Sequence, residues 1–525
     1  MNKKLKTIII SLLITPFILT SCGTKVSSNS EDSNFKYMNL SHKKNNSEIN
    51  QLIQDINNSR KEIYSNTPTI KDEYINWFKN GEDEFTEKEI EEAVAYEKLH
   101  RNGKVIKSPE STYDEKKILT YEEAKEDIDY LFRLLRYSYG PYAYMGGDEI
   151  FNNAKTTIIS EIEGKDTIKC YDFTNILRKN LTFIKDAHFG MSHNNIEVNN
   201  DYDGQVYYVG KEEFFKDSKG YYKLVEKKKY YANEINKDKD IEKYIKMSIN
   251  AEGKLVYNVA ILREWSRNSL MSIPVSYIKG QDIIEESIDL SMLSLKYRNK
   301  FDPFEYRIEN NIPIAKIGAM HDVTPGSSAQ DNFVNTAKEM KEYPISIVDL
   351  RGNTGGFSTA GLNWTVEYTG SGYGVYGAFA QVDSKMTREI QTQVVGKMPQ
   401  FPFSTIQREA KISERVENDK LLFILIDKYV GSATEIFLEN LINVDNVVLV
   451  GTNTMGCRIS NIFNYKLNNS NIEVSFGDKL YLTPYGEDFE YKGFQPDILV
   501  ESDKALDRLL KMIEYYGISE NNKKK

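Results

Sequence analysis

The sequence is poor in the residues that most often mark metal and disulfide sites. It has three cysteines in 525 residues and no C-x-x-C pair, which argues against a disulfide scaffold, a zinc site or thiol redox chemistry. Only five histidines occur, so a mechanism that needs an imidazole base has few candidates. We therefore predict neither a metal nor another cofactor.

The chain also lacks an excess of positive charge. Lys and Arg number 68 against 77 Asp and Glu, which gives a formal net charge of −9. The chain thus has no overall basic surface to hold phosphate backbones, and nucleic acid is not an expected partner. A composition of 40% hydrophobic and 28% charged residues is that of an ordinary globular protein.

Long hydrophobic runs are missing as well. A lysine-rich start precedes an apolar run at residues 8–19, which falls short of the roughly twenty residues that a membrane-spanning helix needs. The run ends in Leu-Thr-Ser-Cys at residues 19–22, which resembles the lipobox of bacterial lipoproteins. We predict that residues 1–21 are a removed signal peptide and that lipid on Cys22 holds the protein at the extracytoplasmic face of the cell membrane. An ordinary signal with a chance cysteine is the alternative.

The first half of the mature chain divides by composition. Residues 22–68 are rich in Ser, Asn, Lys and Glu, which predicts a flexible tether with a short helix near residues 49–63. Helical periodicity predicts an N-terminal helical domain over residues 69–190. Short alternating runs predict a β-rich middle unit over residues 191–305.

Residues 306–502 alternate between predicted strands and helices, and residues 503–525 read as a C-terminal helix and charged tail. The fold class is therefore α/β (α+β), with a partly parallel sheet flanked by helices. The predicted strands cover residues 312–317, 345–350, 421–426 and 447–450, and the predicted helices cover residues 329–340, 359–367 and 432–442. Ligands of such sheets bind at the carboxyl ends of the strands, so the chemistry is expected there.

Two segments at these strand ends could carry chemistry. Gly355 and Gly356 allow positive φ and a close approach of backbone N–H groups to a ligand, although taken alone they favour a simple tight turn into the helix that follows. Ser432 opens a helix and forms a capping-box pattern with Glu435. A serine at that place is also a well-positioned nucleophile, because the N–H of Ala433 and the helix dipole face a developing oxyanion.

Five ordered segments together resemble the S41 family of serine peptidases, which includes the C-terminal processing proteases and the tricorn core protease. They are D-A-H-F-G at 186–190, D-L-R-G-N-T-G-G at 349–356, G-S-A-T-E at 431–435, G-T-N-T-M-G at 451–456 and G-F-Q-P-D at 493–497. The resemblance implies an S41/ClpP-crotonase-like α/β core. A PDZ module commonly occupies the place of residues 191–305 in the processing proteases, but no clear PDZ signature is present there.

The chain departs from one branch of this family. The processing proteases use a lysine directly after T-x-G as the general base, and Cys457 stands at that place. A thiol is not an ordinary base, so the Ser-Lys mechanism is excluded at this position. The tricorn type instead implies a Ser432-His188-Glu490 relay, in which Glu490 supports the imidazolium directly or through another hydroxyl.

The resemblance also implies an oxyanion hole made by the N–H of Ala433 with that of Gly355 or Gly356. Cys457 has three readings: a filler where the lysine was lost, a disulfide partner of Cys170, or an auxiliary thiol. The first is favoured, because a disulfide requires a close approach that the sequence does not establish.

The expected function is that of a membrane-anchored extracytoplasmic serine peptidase that acts on peptides or proteins through an acyl-enzyme on Ser432, with His188 as base. Two alternatives stay open. The chain could be a catalytically inactive S41-fold lipoprotein that binds peptides or apolar ligands. The 35 tyrosines also allow a cell-wall-binding lipoprotein, which exposed aromatic rows on the middle unit would support.

Overall fold

A computed structural model describes most of the chain, namely residues 46–62, 67–74, 85–101, 117–193, 196–197, 204–266, 270–294, 303–321, 328–371, 374–395 and 406–518. These segments belong to one compact unit that spans Tyr37–Lys525. The predicted signal peptide and the lipid-attachment residue Cys22 lie outside the described residues, as does the tether up to residue 45. None of the helices in the described ranges has the length and apolarity needed to cross a bilayer.

The helices are numbered along the chain. They are α1 (Asn46–Glu62), α2 (Glu87–Arg101), α3 (Tyr121–Ser138), α4 (Gly147–Ile162), α5 (Cys170–Asn180), α6 (Ala329–Met340), α7 (Thr359–Thr369), α8 (Lys385–Ile390), α9 (Ala433–Leu441) and α10 (Ala505–Tyr515). Short 3₁₀ segments cover Ile241–Lys243, Glu487–Phe489 and Ser502–Lys504, and a π-helical turn covers Gln391–Val395.

The strands are numbered in the same way. The first half contains β1 (Ile118–Thr120), β2 (Thr167–Lys169), β3 (Gly190–His193), β4 (Ile196–Glu197), β5 (Gln205–Gly210), β6 (Phe215–Asp217), β7 (Gly220–Val225), β8 (Lys228–Ile235), β9 (Ile245–Ile249), β10 (Leu255–Glu264), β11 (Leu270–Lys279) and β12 (Asp282–Met292). The second half contains β13 (Phe304–Glu309), β14 (Ile312–Ile317), β15 (Ile345–Asp349), β16 (Val375–Tyr376), β17 (Ala378–Gln381), β18 (Ile406–Gln407), β19 (Lys411–Ile412), β20 (Leu421–Ile426), β21 (Val447–Gly451), β22 (Phe463–Lys466), β23 (Glu473–Phe476), β24 (Lys479–Leu482) and β25 (Ile498–Leu499).

A six-stranded sheet forms the α/β core, in the order β13-β14-β15-β20-β21-β25. Its strands from β14 to β25 run parallel, and β13 joins antiparallel at the edge. Every residue of β15, β20 and β21 is buried, because both faces of this sheet are covered. That arrangement explains why these strands read as continuous apolar runs rather than as alternating ones. The predicted α/β class is confirmed.

The two faces of this core are covered by different helices. Helices α6, α7 and α9 pack on one face, with Phe333, Trp364 and Phe437 at the centre of the contact. Helices α1 and α10 pack on the other face. The core strands therefore carry the sites that lie at their carboxyl ends on a rigid base.

Helix α1 corrects the predicted tether. Residues 46–62 were expected to be part of a flexible segment with a short helix, whereas the helix is docked on the core through Ile49, Ile53 and other buried aliphatic side chains. Arg60 adds a bidentate ion pair to Asp497, at 2.8 Å from each carboxylate oxygen. The Ser- and Asn-rich composition of this segment predicted a tether, but its apolar residues form a stripe that is long enough to hold α1 on the core.

An eight-stranded antiparallel sheet makes up the middle of the chain, in the order β6-β7-β8-β11-β12-β5-β10-β9. One face of it is buried around aromatic and aliphatic side chains that include Tyr208, Phe214 and Tyr277. This is the range in which the sequence predicts a β-rich unit.

Helices α3, α4 and α5 cluster with the hairpin of β22 and β23. The strand β3 pairs with β23, with Val474 opposite Met191 and Ser475 opposite Gly190. This pairing fixes the end of the loop that follows α5, and that loop contains residues 186–190. The helical region and the core are thus joined next to the predicted catalytic histidine.

We expect Ile53→Ala to lower the free energy of unfolding by about 2–5 kcal/mol, because it opens a cavity under α1; Ile53 is 2% exposed. Urea unfolding followed by circular dichroism measures the change. Gln54→Ala, on the exposed side of the same helix, is the matched control and should leave the midpoint nearly unchanged. Equal midpoints for the two variants would show that α1 does not contribute to the folded unit.

Candidate active site

Ser432 lies in the tight turn between β20 and α9. Its backbone has φ 51° and ψ −120°, a conformation that costs a residue with a side chain about 1–3 kcal/mol and persists only where the surrounding fold enforces it. The turn places Ser432 at the carboxyl end of β20, between the neighbouring strands β15 and β21. This is the edge at which open α/β sheets bind ligands.

The two readings of Ser432 prove compatible. Ser432 and Glu435 adopt the capping-box arrangement, and the Glu435 carboxylate accepts the Ser432 N–H at 3.2 Å. A hydroxyl oxygen can accept a hydrogen bond from the helix and still donate its own proton elsewhere. Ser432 is partly exposed, so its Oγ can meet an incoming group.

The imidazole of His188 lies within hydrogen-bond reach of that hydroxyl. Its Nε2 lies 3.0 Å from Ser432 Oγ, although the two residues are 244 positions apart. Burial lowers the pKa of His188 to about 4, and the nearby positive charge of Arg458 acts in the same direction. The imidazole is therefore neutral at physiological pH and can accept a proton from the hydroxyl.

Cys457 packs against the same imidazole. Its Sγ lies 3.3 Å from Nδ1 and 3.4 Å from Nε2 of His188. Burial and the surrounding carboxylates raise the pKa of the thiol well above its usual value, so the group is an uncharged thiol. Cys457 and Cys170 are both free, which shows that the disulfide reading of the sequence was wrong.

Two buried carboxyl groups hold the segment that carries His188. Asp186 Oδ1 accepts the backbone N–H of His188 at 2.8 Å, and Asp186 Oδ2 accepts the hydroxyls of Ser460 and Tyr139 at 2.7 and 3.0 Å. Asp186 Oδ1 is also 4.0 Å from Nδ1 of the imidazole. Asp186 is thus the carboxyl group nearest to the ring among the described residues.

Of the two ways in which Glu490 was predicted to support the imidazolium, the direct contact is not seen. Its carboxylate accepts the backbone N–H groups of Ala187, Arg458 and Ile459, each at 2.9 Å, and within the described segments no hydrogen bond joins it to the His188 ring. Oε1 accepts one of these N–H groups and Oε2 accepts the other two. Glu490 therefore fixes the backbone on both sides of the imidazole instead of contacting it.

The two carboxyl groups also influence each other. Burial raises the pKa of Glu490 and of Asp186, and the charge of Asp186 raises that of Glu490 further. Two buried carboxylates so close together resist carrying a full negative charge each.

The backbone N–H groups that were predicted to form the oxyanion hole differ in whether they already donate a hydrogen bond within the protein. The N–H of Ala433 makes no hydrogen bond within the described part of the chain, and it is the first N–H of α9. The N–H of Gly355, in contrast, donates to Oδ1 of Asn353 at 3.0 Å. Of the two glycines predicted as the second oxyanion donor, Gly356 is therefore the candidate, because its N–H donates no hydrogen bond among the described residues.

Gly355 instead allows the loop that carries it to pack closely against the Ser432 turn. A Cβ at this position would lie 2.9 Å from the Gly431 carbonyl oxygen, 2.9 Å from Ser432 Cβ and 3.1 Å from the Ala433 nitrogen. Its φ of +112° also favours glycine. Because Gly355 has no side chain, the 349–356 loop can lie directly against the turn that holds Ser432.

The loop after β15 is braced by its own polar residues. Arg351 makes a buried bidentate ion pair with Asp349, with nitrogen–oxygen distances of 2.8 and 2.7 Å. Asn353 Oδ1 accepts the Thr434 hydroxyl at 2.8 Å, which ties the loop to the first turn of α9. These contacts brace the loop that carries Gly355 and Gly356.

Two buried residues, Glu435 and Lys428, hold the 454–457 loop in a way that the sequence did not predict. Besides its bond to Ser432, Glu435 accepts the Thr454 hydroxyl and the N–H groups of Gly456 and Cys457, at 2.6 to 2.8 Å. Lys428 Nζ is buried and donates to the carbonyl oxygens of Thr454, Met455 and Tyr491 at 2.9 to 3.0 Å. Burial lowers the pKa of Lys428 to about 7. The only sequence signal for Lys428 was its place two residues after a fully apolar strand.

In the part of the chain that the structure describes, no group of three or more His, Cys, Asp or Glu side chains is arranged to hold a metal ion. The chemistry of the site is that of a hydroxyl beside a neutral imidazole, with a backbone N–H at a helix start within the same turn. These groups are suited to nucleophilic attack on an acyl carbon.

A family model described as Peptidase family S41 matches residues 314–500. This part of the chain belongs to peptidase family S41. The resemblance drawn from the sequence segments is confirmed over this range, which contains Ser432 and Glu490 but not His188. The family match of residues 314–500 implies, at the level of the family, a hydrolase of the serine-peptidase type.

Solved structures give weaker similarity. Mature CPAF is 12% identical over 77% of this chain and 99% of its own, with a TM-score of 0.39. The photosystem II D1 C-terminal processing protease is 12% identical over 74% of this chain and 96% of its own, with a TM-score of 0.35. The tricorn protease is 16% identical over 76% of this chain but only 37% of its own, with a TM-score of 0.34. With TM-scores below 0.5, these structures do not add to the family assignment.

Proposed function

We propose that the protein is a serine peptidase that cleaves peptide bonds through an acyl-enzyme on Ser432, with His188 as the general base. The observation that carries this proposal is the 3.0 Å separation of His188 Nε2 and Ser432 Oγ. It joins a hydroxyl on a strained strand-to-helix turn to an imidazole that is neutral because it is buried. The substrates are peptides or proteins.

In the first step, Ser432 Oγ attacks the carbonyl carbon of the scissile peptide bond while its proton passes to His188 Nε2. The oxyanion that forms is stabilised by the N–H of Ala433 and that of Gly356; losing one such donor typically costs about 3–4 kcal/mol of transition-state stabilisation. His188 then protonates the leaving amine, and the peptide bond breaks. Water, activated by the same imidazole, hydrolyses the ester and restores Ser432.

The imidazolium that forms during each step needs negative charge nearby. Asp186 supplies it in this proposal, since its Oδ1 is 4.0 Å from Nδ1. Cys457 lies closer to Nδ1 but is an uncharged thiol, so it shapes the pocket of the ring without balancing its charge. Glu490 is a positioning residue that holds Ala187 and Arg458.

The alternative, an inactive S41-fold lipoprotein that binds peptides or apolar ligands, would have no use for a neutral imidazole in contact with a strained serine. The strain at Ser432 must be compensated by the surrounding fold, and strained backbone is characteristic of functional sites. We therefore favour the active enzyme.

We further propose that the enzyme works at the extracytoplasmic face of the cell membrane, where lipid on Cys22 anchors it. The proposal rests on the apolar run at residues 8–19 and the Leu-Thr-Ser-Cys sequence that ends it. Several acyl chains attached to a cysteine hold a protein at a membrane without a spanning helix, much more firmly than one chain does.

Reaction with a fluorophosphonate probe tests the catalytic proposal. We expect rapid labelling of Ser432, no labelling in Ser432→Ala, and a rate at least about a hundredfold lower in His188→Ala, because a general base contributes factors of that order. Mass spectrometry of the labelled peptide identifies the site.

Ser287→Ala and His100→Ala are the matched controls, since both residues are exposed and lie outside the site. Both should label like the unaltered protein. Well-folded protein that does not label at Ser432 would favour the binding alternative. An unchanged rate in His188→Ala would remove His188 as the base.

Incorporation of a labelled fatty acid tests the anchor in a host that processes lipoproteins. We expect incorporation in the unaltered protein and none in Cys22→Ser, because no other thiol is available at a lipobox. Ser28→Ala is the control and should incorporate the label normally. Incorporation that persists in Cys22→Ser would contradict the assignment of the anchor.

A further inference from the structure

One end of the middle sheet carries two adjacent hairpin turns. Strands β7 and β8 are joined at residues 226–227, and β11 and β12 are joined at residues 280–281. Because β8 pairs with β11, with Tyr231 opposite Ile278, the two turns lie side by side. We call this region the hairpin end and define it by residues 224–229 and 278–283.

The hairpin end exposes a group of large aliphatic side chains. Leu224 is 52% exposed, Ile278 is 39% exposed and Ile283 is 67% exposed. Ile278 and Ile283 are direct cross-strand partners, and directly opposed residues project from the same face of a sheet. Clustered exposure of this kind marks an interaction site, whereas scattered single residues do not.

A row of aromatic rings continues this face across the sheet. Phe215 pairs with Tyr222, Tyr222 with Tyr231, and Tyr231 with Ile278. Adjacent rings lie 5.9 and 5.5 Å apart between centroids, and all three are partly exposed. The aromatic row and the exposed aliphatic side chains together form one apolar face on the side of the sheet that points away from its buried core.

Lysines surround the apolar residues. Lys227 and Lys228 are exposed at the first turn, and Lys229 lies 4.0 Å from the centroid of the Tyr222 ring while it pairs with Asp217. The hairpin end as a whole contains four lysines, one glutamate and one aspartate, in a chain whose net charge is −9. The hairpin end is therefore a local positive patch on an acidic protein.

We propose that the hairpin end docks on the surface of an anionic lipid bilayer. Exposed aliphatic tips can enter the boundary between headgroups and acyl chains, tyrosine rings are suited to the headgroup level, and lysines extend to anionic headgroups while their stems cover apolar surface. Each lysine near such a surface adds to the attraction. This docking goes beyond peptide hydrolysis and uses residues far in sequence from Cys22.

The chemistry of the face favours lipid over the other surfaces that an extracytoplasmic protein meets. Aromatic rings alone would also suit a cell-wall glycan, as the sequence analysis allowed. A glycan gives no reason for exposed Leu224, Ile278 and Ile283, since its hydroxyl-covered surface offers little apolar area to bury with them. The combination of aliphatic tips with lysines is complementary to a bilayer in both polarity and charge.

Co-sedimentation with lipid vesicles tests the proposal. The protein used begins at Gly23, so that it lacks the lipidated cysteine but keeps the compact unit of Tyr37–Lys525. We expect binding to vesicles of phosphatidylglycerol and phosphatidylcholine, weaker binding to phosphatidylcholine alone, and loss of the difference at high salt. The double variant Leu224→Ser/Ile283→Ser should lower the partition coefficient about tenfold or more, because two exposed aliphatic side chains no longer enter the bilayer.

The double variant Leu270→Ser/Ile308→Ser is the matched control. Both residues are exposed aliphatics, at 65% and 49%, and Leu270 lies at the opposite end of β11. It should bind vesicles like the unaltered protein. Charge reversal in Lys227→Glu/Lys228→Glu should abolish the preference for anionic lipid.

Three results would overturn the proposal: no vesicle binding, an equal loss in both aliphatic double variants, or binding to purified cell-wall glycan without binding to vesicles. The last result would assign the face to the wall polymer. Fluorophosphonate labelling of Ser432 is measured in the same samples, so a failure of lipid docking is distinguished from a failure of the catalytic proposal.

Discussion

The site depends on one long-range contact, the approach of the His188 imidazole to the Ser432 hydroxyl. The two groups lie on different parts of the fold, one after α5 in the helical region and the other at the end of β20 in the core. The pairing of β3 with β23 fixes one end of the histidine segment, and the Glu490 carboxylate holds the N–H of Ala187 within it. The position of the imidazole therefore depends on the packing of two regions against each other.

The contact between His188 and Ser432 is suited to catalysis because its surroundings are buried from water but contain polar groups. Burial keeps His188 neutral, while buried carboxyl groups and a buried lysine satisfy the backbone of the loops around it. In such a low-dielectric environment fixed dipoles act strongly, and an unpaired polar group would be costly.

Much of the core could be predicted from the sequence, because β15, β20 and β21 are buried on both faces and read as unbroken apolar runs. Ser432 could be located for the same reason, since it follows such a strand at a helix start. The role of Glu490 could not be predicted from the sequence, because its three N–H donors come from segments that meet only in the folded chain. The docking of α1 on the core was not predicted, because polar residues in this segment outnumber the apolar residues that form its buried stripe.

The protonation of His188 is the most direct test of this account, and with five histidines in the chain its imidazole signal can be assigned from His188→Ala. A nitrogen-15 NMR titration should find the ring neutral at pH 6 and protonated only near pH 4, because burial disfavours the imidazolium and lowers the pKa. The Nε2 signal should shift in Ser432→Ala, which removes its hydroxyl partner. A midpoint near 6.5, with no response to Ser432→Ala, would contradict the account.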